Sequence, residues 1–134
     1  MASIDSIEDI GVRHRSRLNA ADLSSCEALL EAGSNRRGRR IIAETVGVAE
    51  NRVLEWVNKA DLMRIVGVST RYSQLLEATG IDSVRKLRKC RPTQLHRSLL
   101  TQISQRRQLV GRAPSINQVR HWVKQARKLP QLVK

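Results

Sequence analysis

The side chains best suited to chemistry in this 134-residue sequence are cationic. Arginines outnumber lysines by 19 to 6, and the planar guanidinium group can donate two parallel hydrogen bonds to one phosphate. Because these cations are clustered, they favour binding to a polyanion. The clusters that we predict to bind are Arg36, Arg37, Arg39 and Arg40, at a predicted helix start, and Arg85, Lys86, Arg88, Lys89 and Arg91, in a predicted helix.

The charge is distributed unevenly along the chain. Residues 1–82 contain 11 basic and 12 acidic side chains, whereas residues 83–134 contain 14 basic side chains and no acidic one. These balances of −1 and +14 give the net charge of +13. Since no carboxylate in the second stretch can neutralise its arginines, we expect an external polyanion, most commonly nucleic acid. Further cations there are Arg106, Arg107 and Arg112, in a predicted loop, and Arg120, Lys124, Arg127 and Lys128, on the exposed side of the predicted last helix.

Enzymatic and metal-dependent functions have little support in the sequence. The three histidines, His14, His96 and His121, lack metal-ligand spacing, and no Gly-rich nucleotide loop is present. Two cysteines cannot form a disulfide framework or a four-cysteine zinc site. Cys90 lies in a basic stretch, which can lower the pKa of a thiol, but one such residue is weak evidence for catalysis. We therefore predict a non-enzymatic protein without a metal, a cofactor or a small-molecule substrate.

The sequence signals of cellular location favour the cytoplasm. No apolar run approaches the ~20 residues that a membrane-spanning helix needs. The first residues show no basic stretch followed by an apolar region, as a secretory signal would. We therefore predict a cytoplasmic protein with reduced thiols.

The spacing of apolar residues predicts an all-α fold. Sustained period-2 alternation and Asn-Gly or Asp-Gly hairpin signals are missing. Ser24 with Glu27, and Ser115 with Gln118, have the spacing of helix capping boxes. Helical spacing covers residues 38–60, broken by Gly47, and residues 70–79 and 93–103. The helix after Ser115 has a single apolar stripe formed by Ile116, Val119, Trp122, Val123 and Ala126.

The two halves of the chain repeat one pattern. At one constant offset Ile7 aligns with Ile65 and Leu18 with Leu76, and at a second, slightly larger offset Trp56 aligns with Trp122. We therefore predict tandem duplicated helix-hairpin-helix units, each followed by a Trp-Val helix, packed as one compact domain. The first half, residues 1–60, is near-neutral, and the second, residues 61–134, is strongly basic. Both tryptophans are expected to be equivalent core anchors.

Two short turns carry the helix-hairpin-helix pattern, in which backbone N–H groups at a Gly-rich turn bind phosphate without strong sequence preference. The turns are Asp9-Ile10-Gly11 and Gly67-Val68-Ser69, and each has one glycine of the usual pair. Asp9 would repel an anion, whereas Ser69 can cap the next helix. The alternative is that both turns serve only packing. The predicted phosphate contacts are Gly11, Arg13 and Arg15 in the first half and Gly67, Val68, Ser69, Thr70 and Arg71 in the second.

Residues 42–56 have spacing similar to that of a helix-turn-helix motif. Ala43 permits a close helix crossing, Gly47 makes the turn and Val53 fills the core. A helix that reads bases needs polar or basic residues on its exposed side. Glu50 and Glu55 would instead repel phosphate, so we favour a structural helix corner.

Several segments together resemble a known family. They are Ile7-Glu8-Asp9-Ile10-Gly11, Leu29-Leu30-Glu31-Ala32-Gly33, Gly38-Arg39, Trp56-Val57-Asn58, Ala60-Asp61-Leu62-Met63-Arg64-Ile65, Gly67-Val68, Tyr72 and Leu75-Leu76-Glu77-Ala78. Through them, residues 4–130 resemble a bacterial family of tandem helix-hairpin-helix domains of uncharacterised function. That family usually has glycine where this chain has Asp9, Asp22 and Ser69. The resemblance implies an all-α helix-hairpin-helix fold, and nucleic-acid association by analogy with other hairpin proteins.

These observations predict a non-enzymatic protein that binds DNA or RNA through phosphate contacts that do not depend on base sequence. The alternative is a protein-interaction adaptor whose basic half docks an acidic protein or a larger assembly. The sequence leaves open the choice between DNA and RNA, the oligomeric state and the identity of a protein partner.

Overall fold

The computed structural model describes residues 3–7, 10–105 and 112–134. In these ranges the regular secondary structure is helical, with one isolated antiparallel bridge between Ser3 and Ser25. The all-α prediction is therefore confirmed for the described part of the chain. After a 3₁₀ turn, Ile4–Ser6, the helices found there are α1 (Val12–Ala20), α2 (Cys26–Ala32), α3 (Arg36–Val46), α4 (Glu50–Leu62), α5 (Thr70–Ala78), α6 (Val84–Leu87), α7 (Pro92–Gln105) and α8 (Ile116–Lys128).

The chain forms two compact units. The first comprises Met1–Arg64 with Gln131–Lys134 and contains α1 to α4, and the second comprises Ile65–Pro130 and contains α5 to α8. In the first unit α4 packs against α2 and α3, and α1 packs against α3. In the second unit α8 packs against α6 and α7, and α5 packs against α7. The last helix of each unit, which carries the Trp-Val pair, is thus central to its packing.

A tryptophan anchors the core of each unit. Trp56 in α4 and Trp122 in α8 are each 1% exposed. The Trp56 ring packs against His14 with ring centroids 5.6 Å apart, and the Trp122 ring packs against Tyr72 at 5.3 Å. Burial of a ring of this size removes a large apolar area from water. The prediction that both indoles are core anchors is confirmed.

The ends of the helices follow local sequence signals closely. At the start of α8, Ser115 Oγ accepts a hydrogen bond from the Gln118 N–H, and Gln118 Oε1 accepts one from the Ser115 N–H, which is the predicted capping box. The prediction for α2 was wrong by one residue, because Ser25 Oγ caps this helix by accepting from the Ala28 N–H at 3.0 Å. The Ser24 carbonyl instead accepts a hydrogen bond from the Ile4 N–H. Ser24 is thereby tied to the preceding chain.

Both sequence offsets recur in the helix boundaries. The first offset, which aligns Leu18 with Leu76, also carries both ends of α1 onto those of α5, and the offset of the two tryptophans carries α4 onto α8. The first offset relates Ser25 to Ser83 as well, and these serines cap α2 and α6. It also relates His14 to Tyr72, the aromatic partners of the two tryptophans. Residues at equivalent positions therefore have the same structural roles in the two units.

Two equivalent residues, Asp22 and Gly80, end α1 and α5 in the same left-handed conformation. Asp22 has a φ of 61° and Gly80 a φ of 89°. In each case the next residue donates its N–H to a leucine carbonyl in the preceding helix, at 2.9 Å; these bonds join Leu23 to Leu18 and Ile81 to Leu76. Glycine adopts this conformation without strain, whereas a residue with a Cβ does not. Asp22 therefore occupies a position that favours glycine.

We expect Asp22→Gly to raise the free energy of unfolding by about 0.5–1 kcal/mol, because it removes this backbone strain. The converse substitution, Gly80→Asp, should lower it by about 1 kcal/mol, since a Cβ there meets open space and only the φ angle is unfavourable. Urea denaturation of both variants measures the two effects. Asp22→Asn removes the charge but keeps the Cβ, and serves as the control. A destabilised Asp22→Gly variant would contradict the explanation.

Candidate functional site

The second unit carries nearly all of the excess positive charge. By sequence it contains 14 basic and 2 acidic side chains, a balance of +12, against 11 and 10 in the first unit, a balance of +1. The two acidic residues are Glu77 and Asp82, and Asp82 pairs with Lys86 at 3.0 Å. Two carboxylates cannot neutralise 14 cations, so the surface of this unit retains a strong positive potential.

One side of α8 is a row of cations. The helix buries the apolar stripe Val119, Trp122, Val123 and Ala126, whereas Arg120, Lys124, Arg127 and Lys128 are exposed. Their spacing of four, three and one residues places them along one side of the helix. At 1.5 Å per residue, Arg120 and Lys128 are about 12 Å apart along the axis. The buried stripe fixes how this row faces solvent.

The segment from Arg85 to Arg91 differs from the predicted helix. Here α6 is a single turn that ends at Leu87, and the following residues connect it to α7, which begins at Pro92. The proline explains the break, since the residue before a proline is disfavoured in a helix and proline itself suits the first helical position. Within the segment Arg85, Lys86, Lys89 and Arg91 are exposed, and Arg88 is half-buried.

Arginine contacts to backbone carbonyls hold these two basic segments together. Arg127 donates from Nε to the Arg88 carbonyl at 3.3 Å and from Nη2 to the Cys90 carbonyl at 3.2 Å. Arg88 donates in return from Nη2 to the Arg127 carbonyl at 3.5 Å. The segments therefore adjoin, and we call their cations together the basic surface: Arg85, Lys86, Arg88, Lys89, Arg91, Arg120, Lys124, Arg127 and Lys128.

The turn before α5, Gly67-Val68-Ser69 with its flanking residues, makes most of its contacts within the second unit. The Val66 N–H donates to Gln125 Oε1 at 2.9 Å, and Gln125 Nε2 donates to the Val66 carbonyl at 3.0 Å. The Val68 N–H donates to the Ile65 carbonyl at 3.1 Å. Gly67 has a φ of 95°, and a Cβ added there would lie 3.1 Å from Trp122 Nε1. The glycine and the turn thus have a clear packing role beside α8.

The residues of this turn that we predict to contact phosphate differ in their exposure to solvent. Gly67, Ser69 and Arg71 are exposed, and Thr70 is half-buried. Ser69 caps α5, since its Oγ accepts from the Tyr72 N–H at 3.2 Å. Val68 is only 5% exposed. Because its N–H also closes the turn, Val68 is poorly placed to donate to a phosphate.

The predicted contacts near the first turn lie at the start of α1. Gly11 is the N-cap residue of this helix and is exposed, as is Arg13. Arg15 forms an ion pair with Asp5 at 3.5 Å. Asp9 lies outside the described residues. In this part of the first unit a nearby carboxylate thus already neutralises one of the predicted cations.

The four arginines at the start of α3 lie in three different environments. Arg36 and Arg37 are exposed, and Arg40 pairs with Glu50 at 3.1 Å. Arg39 is only 8% exposed, and it donates to the Gly33 carbonyl at 2.8 Å and the Lys134 carbonyl at 3.2 Å. Arg39 is therefore poorly placed to contact an external polyanion, because its guanidinium group is used inside the first unit.

The thiol of Cys26 is buried and that of Cys90 is half-buried. Burial raises the pKa of the Cys90 thiol, although its sequence neighbours are basic. Burial likewise raises the pKa of the Cys26 thiol, which lies in the core of the first unit. In the described ranges, no three His, Cys, Asp or Glu side chains come together as a possible metal site. None of the helices described there has both the length and the apolar character to cross a membrane.

We expect Arg127→Ala to lower the free energy of unfolding by about 1 kcal/mol, because it removes two hydrogen bonds at an exposed site. The control is Lys128→Ala, which removes the same charge from the same helical turn but neither of those bonds. Thermal denaturation of both variants at one salt concentration measures the difference. Equal stabilities for the two variants would contradict the role given to Arg127.

Comparison with known proteins gives one family. Residues 8–129 match a family model described as a domain of unknown function (DUF4332). Searches of curated proteins and of solved structures gave no match.

Proposed function

The chain belongs to the DUF4332 family, and we propose that it binds nucleic acid through the basic surface of its second unit, without recognising base sequence. The observation that carries this proposal is the charge balance of +12 on a unit with two carboxylates. Cations in excess of the carboxylates of the unit attract phosphates, and the release of counterions from the nucleic acid drives the association. Binding of this kind requires no catalysis and no cofactor.

The arrangement of α8 supports contacts to phosphate in preference to bases. The helix packs against α6 and α7, and its Trp122 stripe is buried in the unit. A recognition helix that enters a groove needs side chains projecting to base edges. Here the cations form a row along one flank of a packed helix, which suits contact along a phosphate backbone.

Arginine contributes more to this surface than lysine would. Five of the nine cations of the basic surface are arginines. A guanidinium group can bind a phosphate through two parallel hydrogen bonds and is less strongly hydrated than an ammonium group. The carbonyl contacts of Arg127 also limit the motion of its side chain. Less conformational freedom is then lost when a phosphate binds nearby.

We also infer that the two units are a tandem duplication of a helix-hairpin-helix unit. Support comes from the two constant offsets that relate the helix bounds, from the serine caps of α2 and α6 and from the tryptophan partners His14 and Tyr72. Under this inference the copies kept one packing plan while their surfaces diverged. The first copy has nearly balanced charge, and the second binds the polyanion.

A matched pair of double variants tests where the nucleic acid binds. Arg120→Gln/Lys124→Gln removes two exposed cations from α8, and we expect it to weaken binding to unrelated duplex sequences alike, by about tenfold. Arg36→Gln/Arg37→Gln changes the charge of the first unit by the same amount and should have a much smaller effect. Fluorescence anisotropy with labelled oligonucleotides of several sequences measures both.

The same experiment separates the proposal from its alternative. Equal losses in the two double variants would show that net charge alone acts, which contradicts the assignment to the second unit. If no nucleic acid binds and an acidic protein is retained after nuclease treatment, the basic surface instead serves an adaptor.

A further inference from the structure

Resting on the proposed function, we propose that the basic surface binds double-stranded DNA in preference to a single strand. Proteins that bind single strands combine a basic groove with aromatic side chains on which successive bases stack. Proteins that contact only the backbone of a duplex need cations at fixed spacing and no stacking surface. The second unit has the second set of features.

The aromatic side chains of this protein pack in or against its hydrophobic cores. Its three aromatic residues are Trp56, Tyr72 and Trp122, and both indoles are 1% exposed. The Tyr72 ring packs against Trp122, and its hydroxyl donates to the Arg112 carbonyl at 3.0 Å. No large ring is therefore available as a platform for unstacked bases.

The histidines do not replace such a platform. The His14 ring lies against Trp56, and His96 Nε2 lies 3.0 Å from the Pro114 carbonyl oxygen. His121 is exposed on α8, next to Arg120. One imidazole can contact one base, but it cannot stack a run of them. Its neighbour Arg120 belongs to the cationic row.

The cationic row has the dimensions of a duplex feature. Arg120 and Lys128 are about 12 Å apart along the helix axis, and the major groove of B-form DNA is about 12 Å wide. Cations at the two ends of the row can thus meet phosphates on both strands, with Lys124 between them. Since buried residues hold α8 in place, this spacing is set before binding. A flexible single strand offers no second backbone at that distance.

RNA duplexes fit this spacing less well. The major groove of A-form RNA is deep and narrow, and proteins recognise it mainly through the 2′-hydroxyl groups and the shape of the minor groove. The basic surface consists of charged groups that meet phosphates. Of the two major grooves, the row matches the width of that of B-form DNA.

Three ligands and the intact protein test the preference. A DNA duplex of about 20 base pairs, one of its strands alone and an RNA duplex of the same sequence are titrated by fluorescence anisotropy at one salt concentration. We expect the DNA duplex to bind about tenfold more tightly than the single strand, since a duplex presents the higher charge density and releases more counterions per contact. His121→Ala should leave the affinity for each ligand unchanged within about twofold, because no stacking platform is lost.

Different results would overturn the preference for a DNA duplex and the proposed function of nucleic-acid binding. A single strand that binds as tightly as the DNA duplex, or a large loss of its binding in His121→Ala, would overturn the preference for a duplex while leaving nucleic-acid binding intact. Tighter binding of the RNA duplex would overturn the choice of DNA. Failure of all three ligands to bind would overturn the proposed function itself.

Discussion

The reciprocal contact of Arg88 and Arg127 shows how the second unit accommodates its excess positive charge. With two carboxylates for 14 cations, this unit places guanidinium groups against backbone carbonyls at the ends of helices. The Arg88 carbonyl lies at the end of α6, and the Arg127 carbonyl lies in the last turn of α8. Helix C-termini carry partial negative charge, so each arginine stabilises the end of the other's helix. This junction and the packing of α6 against α8 together join the two cationic segments of the basic surface.

Charge in the first unit is handled differently on a similar packing plan. Arg15 pairs with Asp5, Arg40 with Glu50 and Arg64 with Asp61. Burial raises the pKa of the Asp61 carboxyl, an effect that the nearby Arg64 guanidinium group partly opposes. The first unit thus neutralises much of its positive charge internally. The contrast with the second unit concerns the surface, since each core is organised around a tryptophan and its aromatic partner.

Much of the fold follows from short-range signals in the sequence. The Trp122 stripe, the Ser115–Gln118 capping box and the left-handed Gly47 at the end of α3 depend on residues within a few positions of one another. Such features can be predicted because local spacing determines them.

The composition of the candidate site was harder to predict, because it depends on contacts distant in sequence. Nothing near Arg39 reveals that its guanidinium group is buried against the carbonyl of Lys134, 95 residues away. The contact between Arg88 and Arg127 likewise spans 39 residues. The predicted helix contained all five cations of residues 85–91, whereas α6 ends at Leu87, before the break at Pro92. The cations of α8 belong to the candidate site because the contact between Arg88 and Arg127 places them beside Arg88.

The central claim is that the cations of the second unit meet phosphates, and its most direct test is the salt dependence of binding. The affinity of the intact protein for a DNA duplex would be measured between about 50 and about 200 mM salt. If six or more of the basic side chains contact phosphates, the affinity should fall by roughly 10³–10⁵-fold over this range. An affinity that stays constant across the range would contradict the claim.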